Sequence, residues 1–315
     1  VAPTYAIPEP TSTGEMAFSA PGLAGTTWYR VTGELGAGPP PLVVLHGGPG
    51  AAHDYCLSMA NLAGVGEGRA VVHYDQIGCG RSSHHPDADP AVWKPELFVA
   101  ELQQLVEHLG IAEDFHLLGQ SWGGMLAPEY VLAHPAGVRS LTICDSPASM
   151  ELWLQAANLL RAELPEEVQQ TLTRYEASGD YDDPAYLAAM QVFYDAHVCR
   201  VVPNPPEVAA TFAQIEAEPT VYHTMNGPTE FHVVGSMKDW TIVDRLPAIS
   251  VPTLVVSGAH DEAMPLVWQP FLDAIRGSRS HVFPASSHMP HVEEHEAFLE
   301  VVGGFLAEHD GQAGA

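Results

Sequence analysis

A serine between glycines, Gly119-Gln120-Ser121-Trp122-Gly123, directly follows the apolar run Phe115-His116-Leu117-Leu118. The pattern predicts a strand, a sharp turn and a helix. In that setting G-x-S-x-G is a nucleophile elbow: small residues let strand and helix approach, and the hydroxyl stands clear of the backbone at the helix N-terminus. A serine hydroxyl is a weak nucleophile until a neighbouring base takes its proton, and that base needs an acid to orient it. Around such an elbow the chain order is Ser, then Asp or Glu, then His. Downstream of Ser121 the strand-end carboxylates in the right setting are Asp261 and Glu262, just beyond the run Thr253–Val256, and the residues themselves leave either open as the acid. Of the 17 histidines, His288 stands out because it lies a few residues past the last apolar run, His281–Phe283. His291 and His295 are rivals, but they run on towards a predicted helix over 293–306.

A second glycine-rich turn, His46-Gly47-Gly48-Pro49-Gly50, ends the apolar run Leu42–Leu45. Loops of this HGG type supply one backbone N–H to an oxyanion hole, and the other donor expected is the N–H of Trp122, next to the nucleophile. His288, His291 and His295 also raise the question of a metal site. No further ligand cluster accompanies them, so none is expected.

These residues need a scaffold that brings them together. The all-apolar run Leu42–Leu45 and the largely apolar runs Ala70–Tyr74, Phe115–Leu118, Ser140–Cys144, Thr253–Val256 and His281–Phe283 read as buried strands, with an earlier one at Thr26–Val31. Between them lie helical stretches such as Glu96–Leu109, whose apolar residues recur near a 3.6 period. Alternation of this kind predicts an α/β fold: a mostly parallel central sheet with helices on both faces. The residues up to about Gly14 read as a Pro/Thr-rich arm, and Pro128 should kink the helix after the elbow. Between 147 and 245 the strand runs stop, and four helical stretches replace them (152–164, 166–177, 184–197 and 206–218). About a hundred residues is too long for a loop. The expected division is therefore a hydrolase core over 1–146 and 246–315, with 147–245 a helical cap over the carboxyl ends of the strands, where ligands bind in open α/β sheets.

Composition narrows the chemistry. At 46% hydrophobic and 16% charged residues, the 315-residue chain can bury a large core. With 12 Lys plus Arg against 39 Asp plus Glu, the net charge of −27 argues against nucleic acid and against an anionic membrane surface, both of which need cationic contacts. No apolar stretch is long enough for a membrane helix, and Val1–Pro10 lacks the features of a signal peptide. Four scattered cysteines (Cys56, Cys79, Cys144 and Cys199) read as free thiols of a cytoplasmic protein.

Taken together, His46–Gly50, Asp75-Gln76-Ile77-Gly78-Cys79-Gly80-Arg81-Ser82, Gly119–Gly124, Asp261 and His288 resemble the proline iminopeptidases, aminopeptidases of the α/β-hydrolase fold with a helical cap. The stretch Met225–Phe231, followed by Lys238-Asp239-Trp240, is similar to tricorn-interacting aminopeptidases and amino-acid amidases. The resemblance implies a triad of Ser121, Asp261 and His288, with the amides of Gly48 and Trp122 as oxyanion donors. It also implies that Glu230 and Glu262 hold the free α-amino group of a small peptide or amino-acid amide, with no metal or organic cofactor. The physical sense is good, since a desolvated ammonium needs paired negative charge and a prolyl nitrogen offers two N–H donors. Trp240 and Phe193 are candidate walls for the side-chain pocket. Two other readings remain: an esterase, lactonase or C–C hydrolase with the same triad, and a binding protein whose chemistry has lapsed.

Overall fold

The computed structural model describes residues 5–311. Eight strands form one sheet: β1 (Ser12–Ala20), β2 (Leu23–Thr32), β3 (Leu42–Leu45), β4 (Val71–Tyr74), β5 (Phe115–Gln120), β6 (Val138–Cys144), β7 (Thr253–Gly258) and β8 (Arg279–Phe283). Their order across the sheet is β1-β2-β4-β3-β5-β6-β7-β8; β1 pairs antiparallel with β2 and β2 with β4, and every other pairing is parallel. β3, β4 and β5 are buried along their whole length, as strands covered on both faces should be.

One face is covered by α1 (Pro95–His108), α2 (Trp122–Ala133) and α8 (Pro265–Ala274) through Phe98, Leu102, Leu126, Val131, Val267 and Phe271. The other is covered by a 3-10 segment over Asp54–Gly64 and by α10 (His295–Glu308), which follows the short α9 (Pro290–Glu293). Between β6 and β7 lie α3 (Met150–Glu163), α4 (Glu166–Ser178), α5 (Pro184–His197), α6 (Pro206–Ala217) and α7 (Thr220–Met225), with no named strand among the described residues.

Two local expectations differ from what is found. The predicted arm is a strand from Ser12 onward, because Met16 and Phe18 alternate into the core while their neighbours face out, and β1 zips onto β2 from Ser12↔Val31 to Ala20↔Leu23. α2 runs through Pro128 without a break. The missing proline N–H deprives only the Gly124 carbonyl of its intrahelical donor, and the helix is buried on nearly every side from Trp122 to Val131, so packing holds it.

Register sets the site. Gln120 pairs with Cys144 and Cys144 with Val256. The N–H of Ser121 then bonds the Cys144 carbonyl (2.9 Å), and that of Asp145 bonds the Val256 carbonyl (2.8 Å). The residues just beyond three adjacent strands therefore sit in one row.

Candidate active site

Ser121 is held at φ 55° and ψ −123°, left-handed backbone that a non-glycine residue adopts only under constraint. The constraint comes from its neighbours. A Cβ on Gly119 would meet the Gly123 carbonyl oxygen at 2.0 Å, and a Cβ on Gly123 would meet that of Leu45 at 2.1 Å. Strand, turn and helix can close around Ser121 only because both positions lack a side chain. Gly123→Ala is expected to lower stability by about 1–3 kcal/mol, the usual cost of overpacking, and to lower kcat with it. Thermal melts and kinetics on the same preparation check this; a variant with wild-type Tm and kcat would show the close approach to be unimportant.

The acid left open between two neighbours resolves geometrically. Asp261 Oδ1 lies 2.7 Å from His288 Nδ1 and also accepts the Ala263 N–H (2.9 Å), while its Oδ2 accepts the Ser257 hydroxyl (2.9 Å). Burial pushes the Asp261 carboxyl up, but the His288 ring beside it and these hydrogen bonds hold it below its ordinary value. For His288 burial works downward; the Asp261 charge, its hydrogen bond, and the charges of Glu230 and Glu293 outweigh it and lift the ring above its ordinary value. With Nδ1–H given to the carboxylate, Nε2 is the nitrogen left to accept a proton. Among the described residues no hydrogen bond joins Ser121 Oγ to the ring, although both line one chamber of about 390 Å³. Such contacts commonly tighten only with substrate bound. The rival histidines are engaged elsewhere. His291 is buried with Nδ1 2.9 Å from Ser58 Oγ, and burial lowers it to about 3; His295 Nδ1 bonds the His291 carbonyl (2.8 Å).

Gly48 lines the same chamber as Ser121. The Gly47 N–H is already given to the Tyr55 hydroxyl (2.7 Å), which leaves Gly48 as the loop's candidate donor. Trp122 is the first residue of α2, so its N–H has no intrahelical acceptor.

Residues with no forecast role brace these groups. The Tyr55 hydroxyl donates to Gln120 Oε1, and Gln120 Nε2 donates to the His288 carbonyl (2.8 Å). Gln76 accepts the Trp122 indole N–H (2.9 Å) and donates to the His46 carbonyl (3.0 Å), while its backbone N–H bonds His46 Nε2 (3.0 Å). Asp75 takes the N–H of His53 (2.9 Å) and of Arg81 (2.8 Å). Gln76 and Gln120 lie inside the motifs, so position marked them; nothing in the sequence marks Tyr55.

Glu230 and Glu262 both lie close to His288. Tyr222 donates to Glu230 Oε1 (2.6 Å), and the Trp153 indole donates to the Glu230 carbonyl (2.8 Å). Burial raises the Glu230 carboxyl, against the pull of Tyr222 and His288. Glu262 is 1% exposed, neither of its oxygens has a hydrogen-bond partner, and Oε1 stands 3.9 Å from His288 Nε2. Burial first, then the Glu230 and Asp261 charges, push it well above the ordinary carboxylate range. Glu230 lines both chambers, and Glu262 is not among their lining residues although its Oε1 approaches His288, which does line the first.

A second chamber of about 330 Å³ shares Gly48, Ser121 and Glu230 with the first and is walled by Met125, Pro147, Met150, Trp153 and Met237. The expected walls are elsewhere: Phe193 packs on Phe231 (ring centroids 4.7 Å apart), and Trp240 donates to Glu129 (3.0 Å). Among the described residues no group of three or more His, Cys, Asp or Glu is placed to hold a metal ion, and no helix is long and apolar enough to cross a membrane.

Residues 40–295 match the model of the alpha/beta hydrolase fold family. The proline iminopeptidase of Lactobacillus helveticus (strain DPC 4571) is 37% identical over 298 residues, covering 94% of this chain and 98% of that protein. The crystal structure of the Mycobacterium smegmatis proline iminopeptidase is 53% identical with a TM-score of 0.85, over 94% of this chain and 99% of its own. That of VinJ is 50% identical with a TM-score of 0.92, over 96% and 100%. Likeness of this extent, over nearly the full length and beyond the short motifs, shows that the chain belongs to the alpha/beta hydrolase fold family and, within it, to the proline iminopeptidases.

Proposed function

We propose that the chain is a serine aminopeptidase or amidase that releases an unblocked N-terminal residue, proline or another small apolar one, from short peptides or amino-acid amides. Ser121 Oγ attacks the carbonyl. His288 Nε2 takes its proton and passes it to the leaving amine, while Asp261 fixes the tautomer and stabilises the imidazolium. The amides of Gly48 and Trp122 hold the oxyanion. Glu230 and Glu262 bind the substrate's ammonium and so restrict cleavage to the first residue.

The observation that carries this reading is the pair of buried carboxyls near His288, one of them with no hydrogen-bond partner among the described residues. Burying such a group without a partner is costly, and a site that keeps it is suited to a cation. The two chambers divide the substrate. The leaving group belongs on the side of the histidine that protonates it, among Val198, Val208, Phe212 and Ile215. The N-terminal side chain then falls in the chamber walled by Met125, Met150, Met237 and Trp153, whose flexible thioethers adapt to different shapes. Residues 147–245 act as the cap that closes both. The net charge of −27 fits a cationic substrate rather than nucleic acid, and four free buried thiols fit the cytoplasm.

Prolyl and alanyl p-nitroanilides, their N-acetylated forms and p-nitrophenyl esters test the reading. Acetylation is expected to lower kcat/KM by about 100-fold or more, since it leaves a buried carboxylate unpaired, a loss of about 3–5 kcal/mol. Equal rates with and without the acetyl group would instead favour the esterase or lactonase reading.

A further inference from the structure

Just beyond β6 stands a second carboxyl that the proposed reaction does not use. Asp145 has φ 52° and is 0% exposed, and the donor beside its carboxyl is the backbone N–H of Gly258. Its side chain faces the carboxyl of Asp261. Its N–H is pinned to Val256 (2.8 Å), next to Ser257, whose hydroxyl already donates to Asp261 Oδ2. The strained backbone therefore sends a fully buried acid against the group that meets His288.

We propose that Asp145 is a positioning residue for the reaction: as a neutral carboxylic acid it donates an O–H···O hydrogen bond to the Asp261 carboxylate and so fixes the acid that orients His288. Two carboxyls in one buried site cannot both ionise. Burial, then the Asp261 charge, push Asp145 well up, while Asp261 is held low by His288 and its own donors. The proton therefore rests on Asp145. The other ionisable group facing Asp145 is Glu293 on α9, whose carboxylate is occupied by the Ser287 N–H (2.9 Å) and hydroxyl (2.6 Å). Around His288 the charged neighbours are Asp261, Glu230, Glu262 and Glu293. With its donor lost, Asp261 concentrates more charge on His288 Nδ1–H and is less firmly held.

The inference rests on the triad reading, so the experiment separates the two. Asp145→Asn keeps a neutral donor of the same shape, and Asp145→Gly removes it; both residues tolerate the positive φ. Asp145→Gly is expected to lower kcat about 10–100-fold, the worth of one hydrogen bond to a charged group. KM should stay unchanged and the acid limb of the kcat/KM profile should move to higher pH. Asp145→Asn should restore most of the rate and the original limb. An infrared difference spectrum between wild type and Asp145→Asn at neutral pH should show the carbonyl band of a protonated acid, and this reads out whether or not the glycine variant folds. An absent band overturns the proposal. So does an asparagine variant as slow as the glycine one, or a folded glycine variant with wild-type kcat and limb. If Asp261→Asn keeps full activity, the triad reading itself fails. If Asp261→Asn is inactive while Asp145→Gly matches wild type, only the role of Asp145 falls.

Discussion

Ser121→Ala lowers kcat by about 10⁴–10⁶-fold, the range found when a serine nucleophile is removed from a working triad, while the fold stays intact. Alanine keeps a Cβ and a small volume, so the strained φ of 55° is no worse served than by serine. The constraints that impose it lie at Gly119 and Gly123 and are untouched. The same protein should take up a fluorophosphonate at Ser121 as wild type and take up none as the variant. His288→Ala should cost about as much, and the double variant little more than either alone, because base and nucleophile act as one unit. Kinetics and intact-mass measurement on the purified proteins check all three. Labelling that persists in Ser121→Ala, or two losses that multiply, would show that the hydroxyl and the imidazole do not work together.

Glu262→Gln separates activity from stability in opposite directions. Losing one carboxylate from a buried ammonium site costs about 3–5 kcal/mol, or about 10²–10⁴-fold in kcat/KM for free-amine substrates. N-blocked esters should lose far less. Stability moves the other way. The Glu262 carboxyl is raised well above its ordinary 4.5 by burial and by the Glu230 and Asp261 charges. Between the ordinary and the raised value the folded protein holds a proton that the unfolded chain has released, so wild-type stability falls as pH rises through that window. Glutamine has no proton to release. Tm of Glu262→Gln should therefore exceed that of wild type in mildly alkaline buffer, and the two should converge below 4.5, where the carboxyl is neutral in both states. Binding a cationic substrate reverses the balance, since the ammonium supplies the partner the empty site lacks. Melting curves across pH, with and without a prolyl inhibitor, check the sign. A variant less stable than wild type at alkaline pH, with unchanged kcat/KM for free amines, would remove Glu262 from the amine site.

The chain order alone determined a good deal of this protein. Largely apolar runs covered on both sheet faces favour one solution, so Leu42–Leu45, Phe115–Leu118 and Thr253–Val256 were legible as parallel strands from the sequence, and two of them extend two residues further in the fold. The small residues of the elbow and the HGG loop named their own turns, and four of the five helices between β6 and β7 fell close to the predicted spans, α7 having no predicted counterpart. β1 was half hidden, because an edge strand with one buried face shows only Met16 and Phe18 as signal. α8 was missed because Pro265 and Pro270 look like breaks, although the first sits harmlessly at the helix start. Residue types and spacing left Asp261 and Glu262 level, the resemblance favoured Asp261, and only the tertiary structure shows which of them meets the histidine. Neighbours in sequence leave a turn in different directions, and here one carboxylate meets His288 Nδ1 at 2.7 Å while the other faces Nε2 at 3.9 Å. It also brought Asp145 against Asp261 and Tyr222 against Glu230, pairings made by strand register and by packing of the inserted helices on the core. Local pattern fixes what a segment forms; which side chains share a low-dielectric site, and hence which of them stay charged, depends on distances that no spacing along the chain encodes.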